Sequence, residues 1–231
     1  MKKILGIDGS KGGWIAVKQC ANHEDHTEID FRENLIELLT PDIKLAIIDM
    51  PVGLDKNPQK GGRLVDKEAR KILDKRKSSI FNAPCRVILN AANYAEANSL
   101  SKKNGLGISK QSWNLVPKIK ELDKVLRIKK RPKIYESHPE ICFQFMNDKA
   151  LKFSKKEKLG IKERKNILMK NGFDEKFLDN NLKKNKNFHS DDFLDACALS
   201  WTAKRIINKQ NISLPEDPEK DELGIIMQMK V

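Results

Sequence analysis

Asp192 and Asp195 stand three residues apart in SDDFLDACALSWTA, a segment whose apolar residues recur at helical spacing. Three residues is close to one helical turn, so the two carboxylates share a face. Three more acids end or follow apolar runs: Asp8 after Leu-Gly-Ile, Asp49 after Ala-Ile-Ile, and Glu136 after Lys-Ile-Tyr. Hard oxygen donors gathered in one place favour magnesium or manganese. Asp8, Asp49, Glu136, Asp192 and Asp195 are therefore candidate metal ligands and catalytic residues. A two-ion carboxylate site, its ions about 4 Å apart, suits hydrolysis of a phosphodiester.

Each acid has a structural alternative. Asp8 precedes Gly-Ser-Lys-Gly-Gly and is also suited to capping a turn. Asp49 closes what reads as a buried strand, where an ionised carboxylate needs a cation or strong donors. Ser190 or Asp191 fits the cap of the last helix, whereas Asp195, one turn further in beside Phe193, Leu194 and Leu199, is not explained as a cap.

The elements that must position these acids follow from the pattern. Ile4–Asp8 and Trp14–Lys18 read as a hairpin around a glycine-rich turn, with a third strand at Glu28–Phe31 after a polar turn at Asn22–His26. Glu33–Leu39 has helical spacing. Leu45–Asp49 reads as a buried parallel strand and Lys133–Glu136 as a further one. The last long helix is expected from about Asp191 to Asn208. These elements describe an α/β domain with helices packed on a mixed sheet. Helical patterns at 64–75, 91–101 and 115–126 read as a helical insertion at about 52–132 within a single 1–231 domain.

The chain carries a formal net charge of +13, and lysine supplies 36 of its 45 positive charges. Three segments, 56–77, 118–133 and 152–170, each have a net charge of +6, leaving an acidic remainder. Basic arms around acidic residues suit a nucleic-acid partner, since lysine and arginine neutralise phosphates while carboxylates hold metal. Arg70, Arg76, Lys77, Arg86, Lys118 and Lys120 are the candidate phosphate contacts, the arginines for their bidentate forks. Ser109, Gln111 and Asn114 are candidates for lining a substrate channel. His138 is a candidate proton shuttle or turn-holder, and His23 and His26 are assigned no role. The four cysteines lie more than fifty residues apart, without metal-site or redox spacing. No run approaches the roughly 20 apolar residues of a membrane span. A cytoplasmic protein with reduced thiols and no membrane partner is expected.

The motifs GIDGSKGGW, IIDMPVGL, DKEARKILDKRKSSIFNAPCR, SKQSWNLVPKIKELD, YESHPE and DDFLDACALSWTA resemble those of the domain-of-unknown-function 429 family. That resemblance implies a ribonuclease H-like fold of the resolvase-like branch and a nuclease activity. It puts Asp8, Asp49, Asp192 and Asp195 at the acidic positions of the fold. Two other readings remain. The turn DGSKGG resembles the phosphate loop of actin-like kinases and ATPases, which would make the chain a nucleotide-binding phosphotransferase. A non-catalytic nucleic-acid-binding module that keeps its acids for structure is the other.

Overall fold

In a computed structural model the protein is described over residues 2–21, 27–183 and 185–231. The expected polar turn at Asn22–His26, with both of its histidines, lies outside the described residues. The sheet is built from β1 (Lys3–Ser10), β2 (Gly13–Cys20), β3 (Thr27–Arg32), β4 (Ile43–Ile48), β5 (Lys133–Glu136), β6 (Ser213–Leu214) and β7 (Met229–Lys230), in the order β3-β2-β1-β4-β5-β7-β6. Seven helices accompany it among the described residues: α1 (Leu64–Leu73), α2 (Tyr94–Lys103), α3 (Lys110–Leu126), α4 (Pro139–Asn147), α5 (Lys158–Lys170), α6 (Glu175–Asn181) and α7 (Ser190–Ile207). The architecture is a mixed α/β fold with a seven-stranded sheet flanked by helices.

Strands β1 and β2 pair antiparallel, with Asp8 opposite Ile15, and β2 pairs antiparallel with β3. Gly12 closes the hairpin at a φ of 80°, a conformation in which a side chain is strained. Strands β1, β4 and β5 run parallel, so their C-terminal ends point the same way. The apolar run of β4 is continuous because the strand is central. The 35–38 segment is a 3-10 turn rather than the longer helix expected at 33–39.

The chain forms two compact units, one of residues 1–49, 130–212 and 230–231, the other of 50–129 and 213–229. In the first, Ile4, Ile15, Val17, Leu45 and Ile47 form a core with Phe143, Leu168, Phe193 and Leu199 from α4, α5 and α7. All four cysteines are free and buried, and no described helix is long and apolar enough to cross a membrane. In the second unit, Arg86 forms ion pairs with Asp123 at 2.7 Å and Asp221 at 2.5 Å, and Arg127 reaches the other oxygen of Asp123. Asp221 also accepts from the backbone N–H groups of Leu54, Leu223 and Ile225.

Helix α7 lies against the sheet at a single crowded point. A Cβ on Gly6 would come within 2.1 Å of Ser200 N and 2.3 Å of Ala196 O. Backbone therefore meets backbone, made possible by glycine on the strand and the small residues Ala196 and Ser200 on the helix. Gly6→Ala is expected to destabilise the protein by at least ~2 kcal/mol, because the helix must lift from the strand to admit a methyl group. Urea unfolding measures this, and an unchanged midpoint would refute the close contact.

Candidate functional site

The register decides which acids can meet. Ile4, Gly6 and Asp8 alternate onto one face of β1, the face that Gly6 turns towards α7. Leu45 and Ile47 occupy the same face of β4, and the Asp49 N–H continues the pairing by donating to Ile7 O at 3.1 Å. Asp8 and Asp49 thus project from the C-terminal ends of adjacent parallel strands, where open α/β sheets place their ligands. Asp195 sits on α7 immediately before Ala196, whose carbonyl overlies Gly6. Strand, strand and helix converge on one place.

Lys155 occupies that place. Its ammonium lies 2.6 Å from Asp195 Oδ2 and 4.0 Å from Asp191 Oδ2. Burial opposes its charge, yet Asp195, Asp8 and Asp49 together outweigh burial and hold it well above the usual lysine range. Burial, then repulsion from Asp49 and Asp195, pushes the carboxyl of Asp8 well above its ordinary value. Asp49 rises to about 6 through burial, with Lys155 opposing and Glu140 adding to the rise. Asp195 also rises to about 6 through burial, which outweighs the pull of Lys155. Its Oδ2 holds the lysine, while Oδ1 is buried without a hydrogen-bond partner.

The lysine is held on a braced segment. Arg164, fully buried, forms an ion pair with Glu140 and donates from Nη1 to Phe153 O at 3.3 Å and Gly160 O at 3.2 Å. The carboxylate of Glu163 accepts from the N–H groups of Lys152 and Phe153. The turn around Lys155 is therefore tied down on both sides. Neither Lys155 nor Arg164 stood out in the sequence, because both fall in the basic 152–170 run that resembles a solvated face. Nothing in that run separates one half-buried, acid-paired lysine from its neighbours.

The other expected ligands have different positions. Asp192 accepts from the His189 N–H at 3.0 Å and the Ser10 hydroxyl at 2.8 Å, both on Oδ2, and so caps the start of α7. The helix begins at Ser190 with His189 as its cap residue, so the capping role expected of Asp191 falls to Asp192. Glu136 is buried but pairs in register with Ile48, while Tyr135, its neighbour, packs on the core beneath α7. Alternation therefore turns Glu136 to the opposite face of the sheet, away from Asp8 and Asp49. His138 stands at the cap position of α4. Among the described residues no three or more His, Cys, Asp or Glu are arranged to hold a metal ion.

The expected phosphate contacts divide as well. Arg86 is committed to Asp123 and Asp221, and Arg70 to the carbonyls of Ile80 and Gly61 and the Asn82 side chain. Lys77 is exposed, and Lys118 and Lys120 are half-buried on α3.

A sheet with acids at the ends of two parallel strands and a third on an abutting helix defines an α/β protein with a buried acidic site. The family model described as protein of unknown function (DUF429) matches residues 6–220, and the chain belongs to that family. No curated protein and no solved structure matches it.

Two outcomes test this site. Because Asp49 holds its proton to about 6 when folded and an ordinary aspartate releases it near about 4 when unfolded, the wild type loses stability as pH rises through that window. Asp49→Asn removes its share of the loss, so its Tm relative to wild type is expected to climb between pH 4 and pH 7; a constant difference would rule out the raised titration. Lys155→Met is expected to cost ~2 kcal/mol at pH 8 in EDTA, since it leaves buried carboxylates without their cation. Thermal unfolding with millimolar manganese should then restore more stability to the variant than to wild type. Equal metal effects on the two proteins would show that the lysine and a metal do not share a site.

Proposed function

We propose that the chain is a metal-dependent nuclease of the ribonuclease H-like fold, hydrolysing phosphodiesters at the Asp8, Asp49 and Asp195 site. The observation that carries this reading is the placing of Asp8 and Asp49 at adjacent strand ends and of Asp195 on the abutting helix, each near enough to act electrostatically on Lys155. Supporting the fold assignment are an antiparallel β1–β2–β3 meander continued by parallel β4 and β5, and a C-terminal helix set against β1.

The donor set fits a hard divalent ion. All three acids offer only oxygen, and Asp195 Oδ1 is buried with an unused acceptor. Among the described residues no three such groups are yet arranged to hold an ion, so Asp8, Asp49 and Asp195 would hold magnesium or manganese only once the Lys155 ammonium gives way. A bound ion would supply a water of lowered pKa and neutralise charge on the departing oxygen.

The residues of the chain account for the rest. Asp191 offers the lysine a second carboxylate 4.0 Å away, so the ammonium can leave Asp195 without being stranded. From there its charge would attract the phosphate that the three acids repel. The pairing of Arg164 with Glu140 keeps the turn in place while the ammonium moves. Nucleic acid is the partner that this chemistry requires, and the net charge of +13 favours it.

One observation favours a second reading. Lys155 already neutralises Asp195 at 2.6 Å, which is what a structural ion network in a non-catalytic nucleic-acid-binding module would show. A cleavage panel of single-stranded, duplex, branched and hybrid DNA and RNA, with magnesium or manganese, separates the two. The wild type is expected to cut at least one substrate and Asp8→Asn to lose at least a hundredfold of that rate. Equal rates for the two proteins, or binding without cleavage throughout, would replace the nuclease reading with the module.

A further inference from the structure

The second compact unit holds a cleft of about 630 Å³, the size of a site for a small organic ligand. Among the described residues its lining includes two cations, Arg70 and Lys77, and no aspartate or glutamate. Neither cation forms an ion pair among the described residues. In a chain with 32 acidic residues, a cleft whose described lining carries two cations and no acid selects for anions.

The polar groups narrow the anion. Arg70 binds Asn82 Oδ1 at 2.5 Å, which fixes the amide and leaves its NH2 group as a donor. The guanidinium also holds Ile80 O at 2.9 Å, so the wall is braced by the same residue that charges it. Gln111 adds a side-chain donor from the first turn of α3, whose 17 residues begin at the cleft. Ser109 caps that helix by accepting from Ser112 N–H, leaving the earlier N–H groups of the turn for a ligand. An ammonium, carboxamide donors and helix N–H groups together suit the several acceptor oxygens of a phosphate monoester.

The remaining wall is apolar. Ile80, Pro84 and Ile108 line it, and the ring of Phe81 is half-exposed within it. Such a surface has no use for a bare ion, but it accommodates a flat or apolar body attached to one.

We propose that this cleft binds a small phosphate monoester with a flat ring, the chemistry of a nucleoside monophosphate, with Lys77 meeting the phosphate and Phe81 the ring. The site lies wholly within residues 58–112 and does not depend on the acidic site or on its proposed reaction.

Calorimetric titration of the full chain in EDTA, which keeps metal from recruiting anions to the acids, tests it. The probes are adenosine 5′-monophosphate, adenosine, ribose 5-phosphate and inorganic phosphate. The monophosphate is expected to bind at least about tenfold tighter than each of the other three. Lys77→Glu, an exposed substitution whose fold is checked by circular dichroism, should weaken monophosphate binding at least about tenfold and leave adenosine unchanged. Equal affinity for adenosine and its monophosphate, or full affinity in Lys77→Glu, would overturn the phosphate assignment. Ribose 5-phosphate binding as tightly as the nucleotide would overturn the ring assignment. Failure to cleave any nucleic acid leaves all of these outcomes readable.

Discussion

Three carboxyls whose proton affinity is raised chiefly by burial are costly to ionise together without a positive charge near them. The ammonium of Lys155 supplies it, and much of the first unit can be understood as the means of holding that charge there. Strand register brings Asp8 and Asp49 to one face, the close approach of α7 delivers Asp195, and the Arg164–Glu140 pair braces the turn that carries the lysine. Asp195 keeps one oxygen without a donor, and both Asp49 and Asp195 titrate near 6 rather than near the usual aspartate value. One lysine falls short of the charge that the acids call for, and the shortfall is what a divalent ion would meet.

Sequence pattern carried a good part of this. The apolar runs that end at Asp8 and Asp49 were readable as strands because continuous Ile and Leu with glycine and proline punctuation leave few other conformations. The small residues Ala196 and Ser200 after Asp195 let the helix press against the sheet, and the Gly6 contact is that pressing. Glu136 was misleading for a physical reason. Its neighbourhood, an acid after an apolar run, is like that of Asp49, but a displacement of one residue in register turns a strand side chain to the other face. That displacement is a property of pairing between distant segments and has no local trace.

Charge runs were the least legible feature. The segments 56–77 and 152–170 look alike by count, yet one contains Arg63, buried against Asp66, and the other contains Arg164, buried against Glu140. Arg86, attractive as a phosphate fork, instead joins segments far apart in sequence through Asp123 and Asp221. Burial of a cation requires a partner that three-dimensional packing alone brings near. A basic residue therefore reveals its role only once its neighbours are known, whereas an apolar residue reveals much of its role by periodicity.

The contact at Gly6 has a consequence beyond packing. Where two main chains touch, no side chain remains between them that could compress, swing or be traded for a smaller one. The gap between Asp8 and Asp195 is thereby referred to covalent geometry, two residues along a strand on one side and one residue along a helix on the other. Repacking elsewhere in the core leaves that gauge unaltered, so the spacing of Asp8 and Asp195 is insulated from substitutions at a distance.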